Sequence, residues 1–279
     1  MNISTTFAKV NSIAIGGFDG MHLAHQKLFS TLDEAYGAVV VIETGYANMT
    51  MGLDRQKYTN HPVKIYELPD IKHLDAQGFV AKLYADFPLL EHIVVGYDFH
   101  FGKDRAYDAT DLQAYFKGRV SVVEKVTKDD VAIHSHVIRE YLRSGDIKQA
   151  KHFLGRDYSV SGSVIKGQGI GSKELVPTIN IVTNQLLPKA GVYVSLTRIN
   201  DDVSFHPSVT FLGHRVTTDG KEAIETHILD KDIGEVYSVE VVFMQYLREN
   251  QKFEELSDLK EAIFSDINSA QKLLKSLAL

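Results

Sequence analysis

The chain has 279 residues, 44% hydrophobic and 24% charged, enough for one large domain or two of ordinary size, each with its own core. With 30 basic against 36 acidic side chains the formal charge is −6, which excludes a global basic field of the kind that draws in nucleic acid or an anionic membrane. The absence of cysteine excludes a disulfide scaffold, a thiolate zinc site and thiol catalysis.

The opening stretch, MNISTTFAKVNSIAIGG, has no basic region followed by a long apolar run. No segment approaches the apolar length that spans a bilayer, so the cytoplasm is the expected location and no membrane partner is expected. Short β-branched runs at Ser12–Gly16, Ala38–Ile42, Ile93–Gly96 and Val120–Val123 read as buried parallel strands. Helical patterns lie between them at Leu23–Tyr36, Ala76–Phe87 and Thr110–Phe116, with Asp75 as N-cap of the second and Asp108 or Thr110 of the third. This alternation predicts a doubly wound α/β sheet with its ligand site at the carboxyl ends of the strands. Two shorter helical stretches follow, Val137–Arg143 and Ile147–Leu154, the second opened by Ser144-Gly145-Asp146.

At the first strand–helix junction the chain reads Gly16-Gly17-Phe18-Asp19-Gly20-Met21-His22-Leu23-Ala24-His25. Glycines such as Gly17 let the chain turn sharply, and the following helix offers unpaired N–H groups and a positive dipole end to a phosphate. His22 and His25 are three apart, so both imidazoles share one face of the first turn. Two histidines aimed at a bound triphosphate donate hydrogen bonds to oxygens that gain charge during transfer. A zinc site is the weaker reading, because no third ligand is near and the His-Glu-x-x-His spacing is absent. A plain helix start with two solvated histidines is the other alternative.

After Gly155 the texture changes. Tyr158–Ile165, Gly191–Ile199, Val203–Thr210, Ala223–Leu229 and Tyr237–Tyr246 are β-rich and separated by turn residues, which predicts an antiparallel sheet or barrel. Phe253–Leu277 closes the chain as an amphipathic helix, with Leu256, Leu259, Ile263, Ile267 and Leu274 near one face. The domain boundary is therefore expected near Leu154–Tyr158.

Within this second region the stretch Gly162–Asn180, GSVIKGQGIGSKELVPTIN, carries its own chemistry. Gly167, Gly169 and Gly171 leave backbone N–H groups free to turn toward an anion, and Lys173 adds a mobile positive charge. Thr178 and Asn180 stand two apart, on one face if the segment is extended. A hydroxyl beside a phosphate cradle suits a magnesium–nucleotide complex, because Mg²⁺ takes oxygen ligands and keeps much of its water. An ordinary glycine-rich turn is the alternative.

Taken in order, these constellations resemble the prokaryotic bifunctional riboflavin kinase/FAD synthetase family over most of the chain. The Gly16–His25 turn is similar to the family's opening Gly-x-Phe-Asp-Gly-x-His-x-Gly-His. Val95-Gly96-Tyr97-Asp98-Phe99-His100-Phe101-Gly102 resembles its Val-Gly-x-Asp-Phe-x-Phe-Gly element. Gly145, Asp146, Ala150 and Leu154-Gly155-Arg156-Asp157-Tyr158 resemble its inter-domain join. Pro177-Thr178-Ile179-Asn180 with Gly191-Val192-Tyr193, then Glu225-Thr226-His227-Ile228-Leu229-Asp230, then Leu247-Arg248-Glu249 and Lys252-Phe253, resemble its kinase segments.

The resemblance implies an N-terminal Rossmann-like nucleotidyltransferase domain, residues 1–155, and a six-stranded antiparallel β-barrel kinase domain with a C-terminal helix, residues 156–279. It implies phosphorylation of riboflavin to FMN and adenylylation of FMN to FAD, with ATP and Mg²⁺. The expected partners are these small molecules, without nucleic acid, and the expected state is a monomer or weak homo-oligomer. In the kinase, Gly167, Gly169, Gly171 and Lys173 would hold phosphates, Thr178 and Asn180 would meet the metal complex, and Glu225 would take the ribityl hydroxyl proton. Arg248 would contact flavin or pair with a neighbouring acid. In the adenylyltransferase, Gly17 and Asp19 belong to the phosphate turn, His22 and His25 would stabilise the transition state, and Asp98 would help bind substrate. Ser135 and Arg139 remain from a segment whose hydroxyls and arginine grip the triphosphate. The chain departs from the family at Ala24, at Glu43–Met49, at Tyr107, at Glu174-Leu175-Val176, and at His134 and His136, which replace two hydroxyls. These departures leave a monofunctional riboflavin kinase, with a structural first domain, as the alternative.

Overall fold

Five short segments, β1 (Ser12–Gly16), β2 (Gly37–Glu43), β3 (Val63–Glu67), β4 (His92–Gly96) and β5 (Arg119–Val123), form one parallel sheet in the order β3-β2-β1-β4-β5. The computed structural model describes residues 7–165, 175–200, 202–213, 223–229 and 234–276. It divides into two compact units, Met1–Ser135 and His136–Leu279. Among the described residues no helix is long and apolar enough to cross a membrane.

In the first unit the three central strands, β2, β1 and β4, are largely apolar without alternation because both of their faces are covered. Ile13, Ile15, Val40, Ile93 and Val95 join one core, with Phe79, Val80 and Leu83 from helix α3 (Ala76–Asp86) and Leu112 from α4 (Ala109–Tyr115). Ala14, Val39, Val41 and Val94 join a second core on the other face, with Leu28 and Phe29 from α1 (Leu23–Phe29). A four-residue helix, α2 (Leu68–Ile71), follows β3. Both expected caps form: Asp75 accepts from Gly78 N at 2.7 Å, and Asp108 makes a reciprocal capping box with Asp111. A small hairpin, β6 (Thr127–Lys128) with β7 (Val131–Ala132), precedes helix α5 (Ser135–Ser144), whose first residue ends this unit.

Helix α1 stops at Phe29, short of the expected Tyr36. Ser30 and Thr31 hydroxyls donate back to Lys27 O, and the Asp33 carboxylate accepts from the N–H groups of Ala35 and Tyr36. These local bonds compete with continued helix. The strand β3 was not expected, because its polar Lys64 and Glu67 hide an edge strand beside Pro62.

The second unit holds the remainder of α5, then α6 (Ile147–Leu154), opened by Asp146 accepting from Gln149 N and closed by Gly155 at φ 78°. Strands β8 (Tyr158–Ile165), β9 (Ile179–Val182), β10 (Gly191–Ile199), β11 (His206–Gly213), β12 (Ala223–Ile228) and β13 (Ser238–Arg248) then close an antiparallel barrel, ordered β10-β11-β12-β9-β8-β13. The third expected β segment, Val203–Thr210, is thus displaced to β11. Helix α7 (Leu256–Ser276) packs Ala270 and Leu274 on the outer face of the barrel against Val194, Val209 and Leu247.

The barrel interior mixes an apolar layer with a polar one. Tyr193, Phe243, Ile181 and Val241 are buried, and beside them lie five fully buried hydroxyls. These close a hydrogen-bonded ring: Ser195 to Ser208 (2.8 Å), Ser208 to Thr197 (2.7 Å), Thr197 to Thr226 (3.2 Å), Thr226 to Thr210 (2.8 Å) and Thr210 back to Ser195 (2.7 Å). Each hydroxyl is satisfied by its neighbours, so the cost of burying it is met inside the ring.

Candidate active sites

In the first unit, strand order reverses between β1 and its neighbours β2 and β4, and ligands of doubly wound sheets bind at the carboxyl side of that point. The Gly16–His25 turn leaves the end of β1 there, and Asp98 lies just past the end of β4. The turn holds two non-glycine residues in left-handed backbone, Phe18 (φ 47°) and Met21 (φ 46°), and both side chains are buried. Such backbone persists only where surrounding contacts over-determine it. Phe18 meets His25 and Phe29 edge-on, with ring centroids 5.1 and 5.0 Å apart.

His22 is buried and His25 half-buried, and their rings stack at 3.5 Å between centroids. Gly17 is exposed, and the nearest atom to a Cβ built there is Ile42 O at 3.9 Å, so no protein atom of the turn requires glycine. The open space suits a ligand that approaches the backbone closely. Ala24, in place of a family glycine, is half-buried one residue before His25.

Asp19 is buried, and its Oδ1 accepts from Met49 N at 2.9 Å and Thr50 N at 3.0 Å, tying the turn to the segment after β2. Its carbonyl accepts from Ser135 Oγ at 2.8 Å, so two expected site residues from distant sequence meet at this turn. His134, one of the two replacements, shares a 3.1 Å hydrogen bond with the Tyr97 hydroxyl beyond β4. Asp98 is exposed, with its Oδ1 3.2 Å from where a Gly96 Cβ would stand. Tyr107, where the family has glycine, packs its ring over Gly102 (φ 71°), and a Cβ on Gly102 would lie 2.5 Å from that ring. Arg139 lies on α5 in the second unit and is half-buried.

Arg55 was missed by sequence reasoning. It is 0% exposed and donates to Glu43 Oε2 (2.8 Å) and to the carbonyls of Gly52 (3.2 Å), Gly17 (3.3 Å) and Phe18 (3.4 Å). No local signal marks it, because two of those carbonyls lie far upstream in the motif.

In the second unit, Thr178, Asn180 and Glu225 come together. Asn180 and Glu225 are cross-strand partners on β9 and β12, and Thr178 Oγ1 donates to Glu225 Oε2 at 3.5 Å. Ile179, Ile181, Ile224 and Thr226 are buried in the barrel, so by strand alternation Asn180 and Glu225 face outward. His227 stands two residues beyond Glu225, and its Nδ1 donates to Pro177 O at 2.8 Å, pinning the start of the motif to β12. Strand β9 is four residues long with Asn180 in its middle, so it offers no continuous apolar run for patterning to reveal. Gly167, Gly169, Gly171 and Lys173 lie outside the described residues, as do Glu174 and Asp230.

Arg248, at the end of β13, forms a two-pronged pair with Asp266 of α7, Nε to Oδ1 at 2.8 Å and NH2 to Oδ2 at 2.7 Å. Among the described residues no three His, Cys, Asp or Glu side chains converge as a metal cage. The oxygen donors Thr178 and Glu225 fit a hard cation that keeps its water and phosphate ligands.

A riboflavin kinase family model matches residues 154–274, and an FAD synthetase family model matches residues 68–137. The first match contains Thr178, Asn180, Glu225 and Arg248. The second contains Asp98 and Ser135 but not the histidine turn. A bifunctional riboflavin kinase/FMN adenylyltransferase of Pseudomonas fluorescens is 32% identical over 93% of this chain and 91% of its own length. One from Listeria monocytogenes is 30% identical over 86% and 85%. Among solved structures, a Streptococcus pneumoniae protein titled a macrolide-efflux protein superposes with a TM-score of 0.81 at 26% identity, covering 94% of each chain. With the two family matches falling on the two units' regions in the expected order, and relatives of 30% and 32% identity covering most of the chain, the chain belongs to the bifunctional riboflavin kinase/FMN adenylyltransferase family.

Proposed function

We propose that this chain makes flavin cofactors in two steps, riboflavin to FMN on the barrel and FMN to FAD on the parallel sheet, each at the expense of ATP. The observation that carries the kinase half is the junction of Thr178 and Asn180 on β9 with Glu225 on β12. Phosphoryl transfer needs positioning, charge neutralisation and one group to receive the alcohol proton. Glu225 receives the proton of the ribityl 5′-hydroxyl, and Thr178 orients that carboxylate. Thr178, with Asn180 beside it, would hold a Mg²⁺ brought in with the nucleotide, which when bound neutralises phosphate charge. Lys173 and the glycines at 167, 169 and 171 are assigned the phosphates.

In the adenylyl step the FMN phosphate attacks the α-phosphorus of ATP, pyrophosphate leaves, and no protein nucleophile is needed. Gly17 lets the triphosphate approach the backbone. His22 and His25, held side by side, donate to phosphate oxygens as charge builds. Asp98 addresses substrate beyond β4, Asp19 and Ser135 hold the turn in shape, and Arg139 grips phosphate. The functional division is placed at residue 155, which keeps Ser135 and Arg139 of α5 with the adenylyltransferase. The reactions belong in the cytoplasm, on a monomer or weak homo-oligomer without nucleic acid.

Separate incubations of riboflavin and of FMN with Mg-ATP test both halves. Glu225→Gln lowers FMN formation about 10²–10⁴-fold and leaves FAD formation from FMN unchanged. His22→Ala lowers FAD formation about 10²-fold and leaves FMN formation unchanged. Wild-type protein that forms FMN but no FAD would establish the monofunctional alternative.

A further inference from the structure

We propose that Arg55 is a positioning residue for adenylyl transfer: from beneath the Gly16–His25 turn it aims backbone N–H groups at the nucleotide phosphates. The inference rests on the adenylyl-transfer reading of that turn.

Arginine is almost never fully buried unless paired, and Arg55 is 0% exposed. Glu43, whose side chain is 17% exposed, supplies the counter-charge at 2.8 Å. A buried ion pair kept for stability alone is replaceable by apolar residues of similar volume, often without loss. This guanidinium does more than pair. Its NH2 and Nε donate to the successive carbonyls of Gly17 and Phe18, at 3.3 and 3.4 Å.

A trans peptide is planar, so its C=O and N–H point in opposite directions. Drawing Gly17 O and Phe18 O toward Arg55 turns the N–H groups of Phe18 and Asp19 away from it. Arg55 lies on the buried side, whereas Gly17 is exposed with no atom nearer than 3.9 Å to a Cβ position. The two peptides are thus clamped from below. The clamp also holds Phe18 at φ 47°, a conformation that carries strain for any residue with a Cβ. Donors fixed before the substrate arrives need no reorganisation as charge develops. Lysine cannot replace the fork, because one ammonium does not reach a carboxylate and separate carbonyls in a fixed plane.

The test uses the full chain as wild type, Arg55→Lys, Arg55→Met and the double variant Glu43→Met/Arg55→Met. FAD formation from FMN, FMN formation from riboflavin, thermal midpoints and amide shifts of Phe18 and Asp19 on adding ATP are measured on the same preparations. The double variant is expected to regain the thermal midpoint lost by Arg55→Met, because no charge is left buried alone. Its kcat for FAD formation stays about 10²-fold down, with FMN formation unchanged and the ATP-dependent shifts of the two amides reduced. Arg55→Lys keeps the ion pair and is expected to show the same kcat loss; its result decides the matter if the double variant does not fold. FAD formation at the wild-type rate in either the folded double variant or Arg55→Lys would reduce Arg55 to a structural residue and overturn the proposal. Wild-type FAD formation without ATP-dependent shifts at Phe18 and Asp19 would overturn it while leaving the adenylyl-transfer reading intact. No FAD from the wild type, and no shift anywhere in the turn, would overturn that reading and the positioning role together.

Discussion

Arg248 shows how one side chain acquires its role from a partner that its own neighbourhood does not contain. The residues around it leave flavin contact and an acidic partner equally open. In the structure its planar fork meets both oxygens of Asp266, and NH1 also donates to Glu249 O at 3.0 Å. Two parallel charge-assisted bonds fix an angle as well as a distance, so the pair ties the end of β13 to α7. Asp266→Ala is expected to cost on the order of 2 kcal/mol. That is less than a fully buried pair, because a quarter of the Arg248 side chain remains in water. Urea denaturation checks this, and an unchanged midpoint would show that the fork adds nothing to the docking of α7. Asp19 follows the same logic. Its place in the motif was legible, whereas its two backbone donors at Met49 and Thr50 were not, because they arrive from beyond β2.

At the scale of elements, the hydroxyl ring inside the barrel links β10, β11 and β12 across one polar layer. Serine and threonine in strands read as surface residues or β formers, so sequence patterning does not announce a buried ring. Thr226 sits in it with Thr197 and Thr210 as partners, directly beside Glu225 on the opposite face of β12. Thr226→Val keeps the shape and removes the hydroxyl, leaving two neighbours short of a bond. The expected loss is about 1–3 kcal/mol of barrel stability, with Thr226→Ser recovering most of it. Equal unfolding midpoints for wild type and the valine variant would reject a stabilising ring. Unbroken apolar runs such as β1, β2 and β4 were legible because both of their faces are buried. The four-residue β9, INIV, was not, since Asn180 interrupts its apolar run and leaves the segment too little pattern to stand out without its partners β8 and β12.

Across the whole molecule, the groups that tie pH to stability lie mostly in the first unit. His92 begins β4, with Arg119 NH2 donating to its Nδ1 at 3.1 Å and its Nε2 donating to Ser121 Oγ at 2.9 Å. Burial, and then the Arg119 charge, hold its pKa below the usual 6.5. The folded state therefore favours the neutral ring. Its contribution is complete above pH 6.5 and is lost as pH falls from there through the folded value. Asp86 acts in the same direction lower down. Burial works to raise its pKa, yet hydrogen bonds from Tyr66 (2.5 Å) and Lys82 (3.2 Å), with the Lys64 charge, hold it below 3.8. Its contribution disappears only below that value. His92→Gln is expected to flatten the decline in parallel-sheet stability between about pH 6.5 and 5, read as hydrogen-exchange protection of β4 amides. A profile as steep as the wild type would exclude His92 as its source. The sequence alone determined the order of sheet and barrel, because burial periodicity is a local property written along the chain, and its short motifs, taken in order, resembled the family to which the chain belongs. Only the tertiary structure decided that Arg55 clamps the first turn, that Thr178 and Asn180 meet Glu225, and that Arg248 belongs to Asp266. Each of those contacts joins residues far apart in sequence, and a hydrogen bond depends on distance and direction in space, which residue spacing does not record.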